Sequence, residues 1–310
     1  MLTLRQLRYF QALAEQCHFG RAAQQCNVSQ PALSMQIAEL EKDLGITLVE
    51  RGPRGVSLTD AGAEIARRAR QILSSVADLA DYGQHRGRVL VGDLRLGVIP
   101  SIGPYLLPSV LPALKQKFPE LRLSLRETQT QHLITELLDG QIDVTLLALP
   151  TEERGIEEMV LFEDPFQLAL HKGHRLAAEK CVNQGSLNSE RLLLLEEGHC
   201  LRDQTIAFCK NSRLGDYDEF GASSLATIVQ MVANGYGITL LPRMSLPVEV
   251  RDDETIRVLP FEPPVPERTV GLAWRRTSPR KADFVELGRL ITEIMAPEDT
   301  SERVPDQVRQ

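Results

Sequence analysis

Apolar positions near the start of the chain recur every three or four residues. Leu4, Leu7, Phe10, Leu13 and Ala14 make one such set, and Phe19, Ala22 and Ala23 a second after a short break. The spacing predicts two short helices. In VSQPALSMQIAELEKDLG a further stripe runs through Leu33, Ile37, Leu40 and Leu44. Ser29 is placed to cap that third helix, Pro31 suits its first turn, and Gly45 ends it. ITLVERGPRGVSLT then reads as two short strands around Gly52-Pro53-Arg54-Gly55, a wing. From Thr59 to about Arg88 the pattern predicts one long helix of roughly 45 Å. Ile65, Ala69, Ile72, Val76 and Leu79 fall on it at the a/d spacing of a coiled-coil seam.

Beyond Asp93 the pattern changes to alternating strands and helices. LRLGVIP, a helix from about Ser101 to Phe118, LRLSLRE, a helix near Gln131 to Asp139, and VTLLALP follow one another. This order predicts a mostly parallel sheet. A second set runs through FQLALH, RLLLLEEG, the helix SSLATIVQMVANG, GITLLP and IRVLPF, after which TVGLAWRR and ADFVELGRLITEIM return to the first sheet. The expected organisation is a winged helix-turn-helix over 1–58, a linker helix over 59–88 and an α/β domain over 89–296. That domain divides into subdomain I (92–163 and 267–296) and subdomain II (164–266). Residues 297–310 are polar and are expected to form a mobile tail.

Charge sharpens the division. The net charge is −7, yet residues 1–90 hold eleven basic against nine acidic groups. Nucleic-acid contact is therefore expected only through the front of the chain. The first residues carry Arg5, Arg8 and Glu15 and no apolar secretory core, and no run reaches membrane length, so a cytoplasmic protein is expected. Five cysteines, an odd number, argue against a secreted disulfide framework. His132, His171, His174 and His199 show no zinc-like pairing with cysteine, there is no phosphate-loop or HExxH motif, and neither metal nor cofactor is expected. Asn234-Gly235-Tyr236-Gly237 lies after a helix and before a strand, the order of an ordinary turn.

Two places carry candidate chemistry. In the third helix Gln30, Ser34, Met35 and Gln36 would face base edges, while Ser29 and Pro31 mark a helix start suited to a phosphate, with Arg51 and Arg54 of the wing placed for backbone or minor-groove contact. The same pattern suits a small protein-binding bundle. The long helix is expected to pair with a second copy, or else to pack on the chain's own C-terminal domain. Cys200 and Cys209 stand nine apart, but so do Cys17 and Cys26, both of which read as core. Cys200 differs in following LLLLEEG, at the strand end where open α/β sheets bind ligands. His199, Arg202 and a helix beginning near residue 201 would favour its thiolate, although an inert Cys200 stays open. If that segment is helical, the two thiols lie roughly 13 Å apart along the axis, whereas a disulfide tolerates at most about 7 Å between Cα atoms.

The stretch AAQQCNVSQPALSMQIAELEKDLGITLVERGPRGVSLTDAG, with the order of domains behind it, resembles the LysR-type transcriptional regulators. That resemblance implies a periplasmic-binding-protein-like regulatory domain, promoter DNA as partner, homodimers or homotetramers, and contact with RNA polymerase. GHCLRDQTIAFC and VIPSIGPYLLP further resemble the hydrogen-peroxide-sensing, OxyR-type branch. The resemblance implies that peroxide oxidises Cys200 to a sulfenic acid and that Cys209 resolves it as a disulfide. It also implies a peroxide pocket of Ser101, Thr130, His199, Asp203 and Arg268, with Ser101 standing where threonine is expected. Other readings are a LysR-type regulator with a metabolite inducer in the cleft, a thiol peroxidase and a solute-binding module.

Overall fold

The structure, a computed structural model, describes residues 1–52, 55–84, 88–188, 190–209, 222–250 and 254–296. It begins with α1 (Leu4–Gln16), α2 (Phe19–Gln25) and α3 (Gln30–Leu44). Thr3 and Gln6 form a reciprocal capping box at α1. The Ser29 hydroxyl accepts from the Ala32 N–H at α3, and Gly45 ends that helix at φ 69°. β1 (Val49–Gly52) and β2 (Gly55–Leu58) pair antiparallel as a wing, and α4 (Asp60–Gln84) follows, capped by the Thr59 hydroxyl, which accepts from the Gly62 N–H. Phe10, Leu13, Leu33, Ile37, Leu40 and Leu48 close a core beneath α3.

The seam expected on α4 starts later than its heptad pattern suggests. Ala69 is only 1% exposed and lies inside the N-terminal core, with Ile65 packed against it. Only Ile72, Val76 and Leu79 stand out from the surface, at 46%, 37% and 72% exposure. The reason is that α1 lies along the first turns of α4 and takes up that part of the stripe. Another side of α4 meets the chain's own C-terminal domain. Arg70 Nη1 donates to Asp139 Oδ2 at 2.8 Å, Arg275 Nη2 reaches the Asp78 carboxylate at 3.4 Å, and Gly140 abuts Ser74. Cys17 is also not core. It is exposed, in the left-handed cap position after α1 at φ 46°, while Cys26 caps α2 and is half-buried.

The C-terminal domain contains β3 (Gly92–Val98), α5 (Gly103–Lys117), β4 (Leu121–Glu127), α6 (Thr130–Leu138), β5 (Val144–Leu149) and β6 (Ile156–His171). It continues with α7 (Cys200–Cys209), α8 (Leu225–Ala233), β7 (Thr239–Pro242), α9 (Leu246–Glu249), β8 (Ile256–Pro260), β9 (Glu267–Arg275) and α10 (Lys281–Met295). The strands join in the order β4-β3-β5-β9-β6-β7, with β8 also on β6. Among the described strands the parallel pairings are β3 with β4 and β3 with β5; the remaining pairings are antiparallel. The sheet is mixed, not mostly parallel, because the chain passes between its two halves along β6 and β9 and not through crossover helices. One core gathers β3, β5, α5, α6 and α10, and another gathers β7, β8, α7 and α8.

RLLLLEEG is buried but is not a strand. Leu192 to Leu195 are 1–4% exposed, yet they form only isolated bridges, Leu192 with Ile238 and Leu195 with Ala222. Its residues fill the core of subdomain II without building a ladder. Among the described residues no helix is long and apolar enough to cross a membrane. Arg54 and the tail 297–310 lie outside the described residues.

Gly62 sets how closely α4 approaches the wing. A Cβ there would sit 2.0 Å from the Leu48 carbonyl oxygen, a backbone atom that cannot swing aside. Gly62→Ala is expected to destabilise the N-terminal domain by about 1–3 kcal/mol. Denaturant unfolding followed in that domain checks it; an unchanged midpoint would mean that α4 shifts freely.

Candidate functional site

The outer side of α3 carries the residues assigned to DNA. Leu33, Ile37 and Leu40 point inward, which leaves Gln30 and Pro31 exposed in the first turn and Met35 58% exposed one turn on. Ser34 and Gln36 are half-buried beside them, Gln36 Nε2 donating to Glu39 at 2.7 Å. Ser29 is exposed at the cap, where the first N–H groups of the helix are open to an anion. Arg51 belongs to β1, and of it only the backbone is described.

The second cluster forms where α7 begins. Cys200 is the first residue of α7 and Cys209 the last, both as free thiols. Cys200 is partly exposed, whereas Cys209 is sealed in the core of subdomain II. Thr130 opens α6 with its hydroxyl beside Cys200; apart from that sulfur, the buried oxygen has no hydrogen-bond partner. Arg268, 2% exposed on β9, sends Nη1 to Ser101 Oγ at 2.8 Å and Nη2 to the Ser101 carbonyl at 2.9 Å. Its charge also reaches Cys200. Ser101, Thr130, Arg268 and Cys200 are thus brought together from β3's end, α6, β9 and α7. His199 is buried, but its Nε2 lies 3.7 Å from Glu196 Oε1, and Asp203 is exposed in the first turn of α7.

Burial pushes the Cys200 thiol above its ordinary value. The Arg268 guanidinium, the Thr130 hydroxyl and the Leu201 N–H pull it back, and the Asp203 carboxylate adds to the rise. Desolvation, the largest of these influences, opposes the thiolate that the neighbouring charge favours. Burial alone pushes Cys209 up to about 11.

Sequence reasoning missed two positions here. Gln129 Nε2 donates to the Glu197 carbonyl at 3.2 Å and lies against Gly198, whose φ of +91° and lack of Cβ let the chain turn into His199 and Cys200. Asp164 takes Arg268 Nε at 3.0 Å and Nη2 at 2.9 Å on one oxygen. The Gly-His-Cys string signals the turn, but nothing in FEDPF marks Asp164 as buried. Among the described residues no group of three or more His, Cys, Asp or Glu side chains could hold a metal.

Comparison with known proteins matches residues 4–63 to the bacterial regulatory helix-turn-helix proteins of the lysR family and residues 87–296 to the LysR substrate binding domain. The DNA-binding transcriptional dual regulator OxyR of Escherichia coli K12 is 43% identical over 94% of this chain and 95% of its own. The chain belongs to the LysR family, in its OxyR branch. A probable hydrogen peroxide-inducible genes activator of Mycobacterium leprae is 39% identical over 96% of the chain and 95% of its own. A full-length OxyR variant of Pseudomonas aeruginosa superposes with a TM-score of 0.79 at 36% identity, covering 94% of this chain and 95% of that one. The reduced form of an OxyR superposes with a TM-score of 0.61 at 40% identity, over 67% of this chain and 97% of that one. As an OxyR-branch regulator it acts on transcription and is not an enzyme, so the thiol peroxidase reading is set aside.

In this OxyR-branch chain the buried second thiol has a stability signature. Folding favours the neutral form of Cys209, so its contribution is complete below pH 9.0 and is lost as the pH rises through about 11. The urea midpoint of the reduced protein is expected to fall across that range, and to fall less in Cys209→Ala. Equal falls in both proteins would trace the loss elsewhere.

Proposed function

We propose that this regulator is a redox-switched transcription activator whose signal is hydrogen peroxide and whose sensing thiols are Cys200 and Cys209. The observation that carries the reading is their placement at the two ends of one helix. Cys200 is partly exposed beside a hydroxyl and a guanidinium, and Cys209 is buried. The Cys200 thiolate attacks one peroxide oxygen; the S–O bond forms, the O–O bond breaks, and the departing hydroxide takes a proton to leave as water. The Cys209 thiolate then attacks the sulfenic sulfur, forming the disulfide and releasing a second hydroxide, protonated to water. Ser101, Thr130 and Arg268 supply donors to the reacting oxygens, with His199 and Asp203 completing the pocket wall.

Because α7 holds the thiols roughly 13 Å apart along its axis, bond formation requires residues 201–208 to leave the helix. Closing a ring of this size is worth about 3 kcal/mol, against about 5.5 kcal/mol to invert a 1:99 population. The remainder falls to subunit contacts rebuilt by the refolded segment. The regulator is assigned to homodimers or homotetramers in the cytoplasm, through Ile72, Val76 and Leu79, on promoter DNA where RNA polymerase is engaged. We assign a winged domain to 1–58, a linker helix to 59–88, whose first turns share the winged core, and a regulatory domain to 89–296; the two cores of that last domain support subdomains meeting near 163 and 266.

Peptide mapping after a stoichiometric amount of hydrogen peroxide is expected to find a Cys200–Cys209 disulfide, with Cys17, Cys26 and Cys181 still free to alkylate. Scattered or absent oxidation would overturn the reading in favour of a metabolite in the cleft. On DNA, Gln30→Ala is expected to relax discrimination at particular base pairs by about 1–3 kcal/mol. Arg51→Ala should weaken binding to every sequence and reduce the salt slope by about one. Binding isotherms at several salt concentrations separate the two, and uniform loss with Gln30→Ala would remove α3 from base reading.

A further inference from the structure

We propose that Asp164 is a positioning residue for the peroxide reaction, acting through Arg268. The proposal rests on the assignment of Cys200 as the peroxide-reactive thiol. Asp164 and Arg268 face each other across the β6–β9 ladder, and both side chains are almost wholly buried, at 3% and 0% exposure. The Asp164 oxygens divide their work. Oδ2 accepts Nε and Nη2 of Arg268, and Oδ1 accepts the Met244 N–H at 3.1 Å. The Met244 sulfur, 3.2 Å from Nη2, and both Ser101 oxygens complete the cage.

This cage fixes the plane of the guanidinium. Of five N–H donors in a rigid fork, Nε and Nη2 are committed to Asp164, Ser101 and Met244, and one N–H of Nη1 to the Ser101 hydroxyl. The second N–H of Nη1 has no acceptor among the described residues. It is the donor left for a peroxide oxygen, and its direction is set by the Asp164 grip. A bare arginine in the same place would be a buried charge with freedom to turn, at a cost that burial makes large.

The carboxylate also partly cancels the field of Arg268. Asp164 therefore makes the Cys200 thiolate slightly harder to form while aiming the donor that helps the oxygen leave. A merely structural residue would not move those two properties in opposite directions. Among the described residues, the charged or titratable groups facing this site are Arg268 on β9, Asp164 on β6, Asp203 on α7 and His199 with Glu196 before it. Tyr105 of α5, bonded to Glu249 of α9 at 2.7 Å, and Glu127 of β4 stand further back.

The experiment uses the reduced full-length protein and two rates at Cys200, each read by peptide mapping: alkylation by iodoacetamide as a function of pH, and oxidation by hydrogen peroxide. In Asp164→Asn the alkylation midpoint is expected to move down by about one pH unit, while the peroxide rate falls between about tenfold and a hundredfold. Asp164→Glu, which keeps the charge, is expected to return the alkylation midpoint to the wild-type value and to recover most of the peroxide rate. In an Arg268→Gln background, adding Asp164→Asn should change the peroxide rate little, since the residue through which it acts is gone. A wild-type peroxide rate in Asp164→Asn, a parallel fall of both rates, or an undiminished effect in the Arg268→Gln background overturns the proposal. If Asp164→Asn does not fold, Asp164→Glu decides: a displaced alkylation midpoint in that variant overturns it. Wild-type protein whose Cys200 alkylates but resists peroxide would overturn the assignment of Cys200, and the role of Asp164 with it.

Discussion

The antiparallel pairing of β6 with β9 is the contact on which the regulatory domain hangs. It runs from Ile156 opposite Arg275 to Pro165 opposite Glu267, with a register irregularity between Val160 and Phe162. On one side of it lies the core of subdomain I and on the other that of subdomain II. Near the crossing, the register sets Asp164 opposite Arg268. Cross-strand neighbours on one face of a sheet are held close enough to interact by the ladder itself. The buried ion pair is therefore positioned by backbone hydrogen bonds before any side chain chooses a rotamer. Subdomain I adds Ser101 and subdomain II adds Met244, so the same pair ties the halves together.

The chemistry at α7 follows from competition between burial and charge. Burial pushes the Cys200 thiol up, and a fixed arginine and a hydroxyl work against that rise. The second thiol is kept apart by geometry. Thr205, whose hydroxyl donates to the Leu201 carbonyl at 2.8 Å, is buried within the same short helix that separates the sulfurs. Pairing the thiols therefore disturbs the core of subdomain II.

The long helix α4 serves three surfaces at once. Its beginning completes the winged core through Ala66 and Ala69, its charged side meets Asp139 and Arg275, and Ile72, Val76 and Leu79 face outward. Subdomain I is thus in direct contact with the helix that completes the winged core. That contact is made of ion pairs and a close Ser74–Gly140 approach.

Local features were legible because their causes are local. Ser29 and Gly45 bound α3 since a cap needs a side-chain acceptor at one end and a positive φ at the other. The family resemblance in GHCLRDQTIAFC and VIPSIGPYLLP pointed to the thiols and, through the branch they share, to Arg268. Where an apolar run alone was read, the outcome depended on its neighbours: Leu192 to Leu195 found too few partners to become a strand, and Ala69 was claimed by α1 and not by a second helix. Cys17 shows the same limit, since a small apolar residue between two helices is as suited to an exposed cap as to a core. By itself, then, the sequence determined the helices, their caps, most strands and the pair of thiols to watch, because these rest on spacing within a few residues. Only the tertiary structure decided that Asp164, more than a hundred residues from Arg268, would be buried against it, because β-sheet register joins distant segments through backbone bonds that no local pattern encodes.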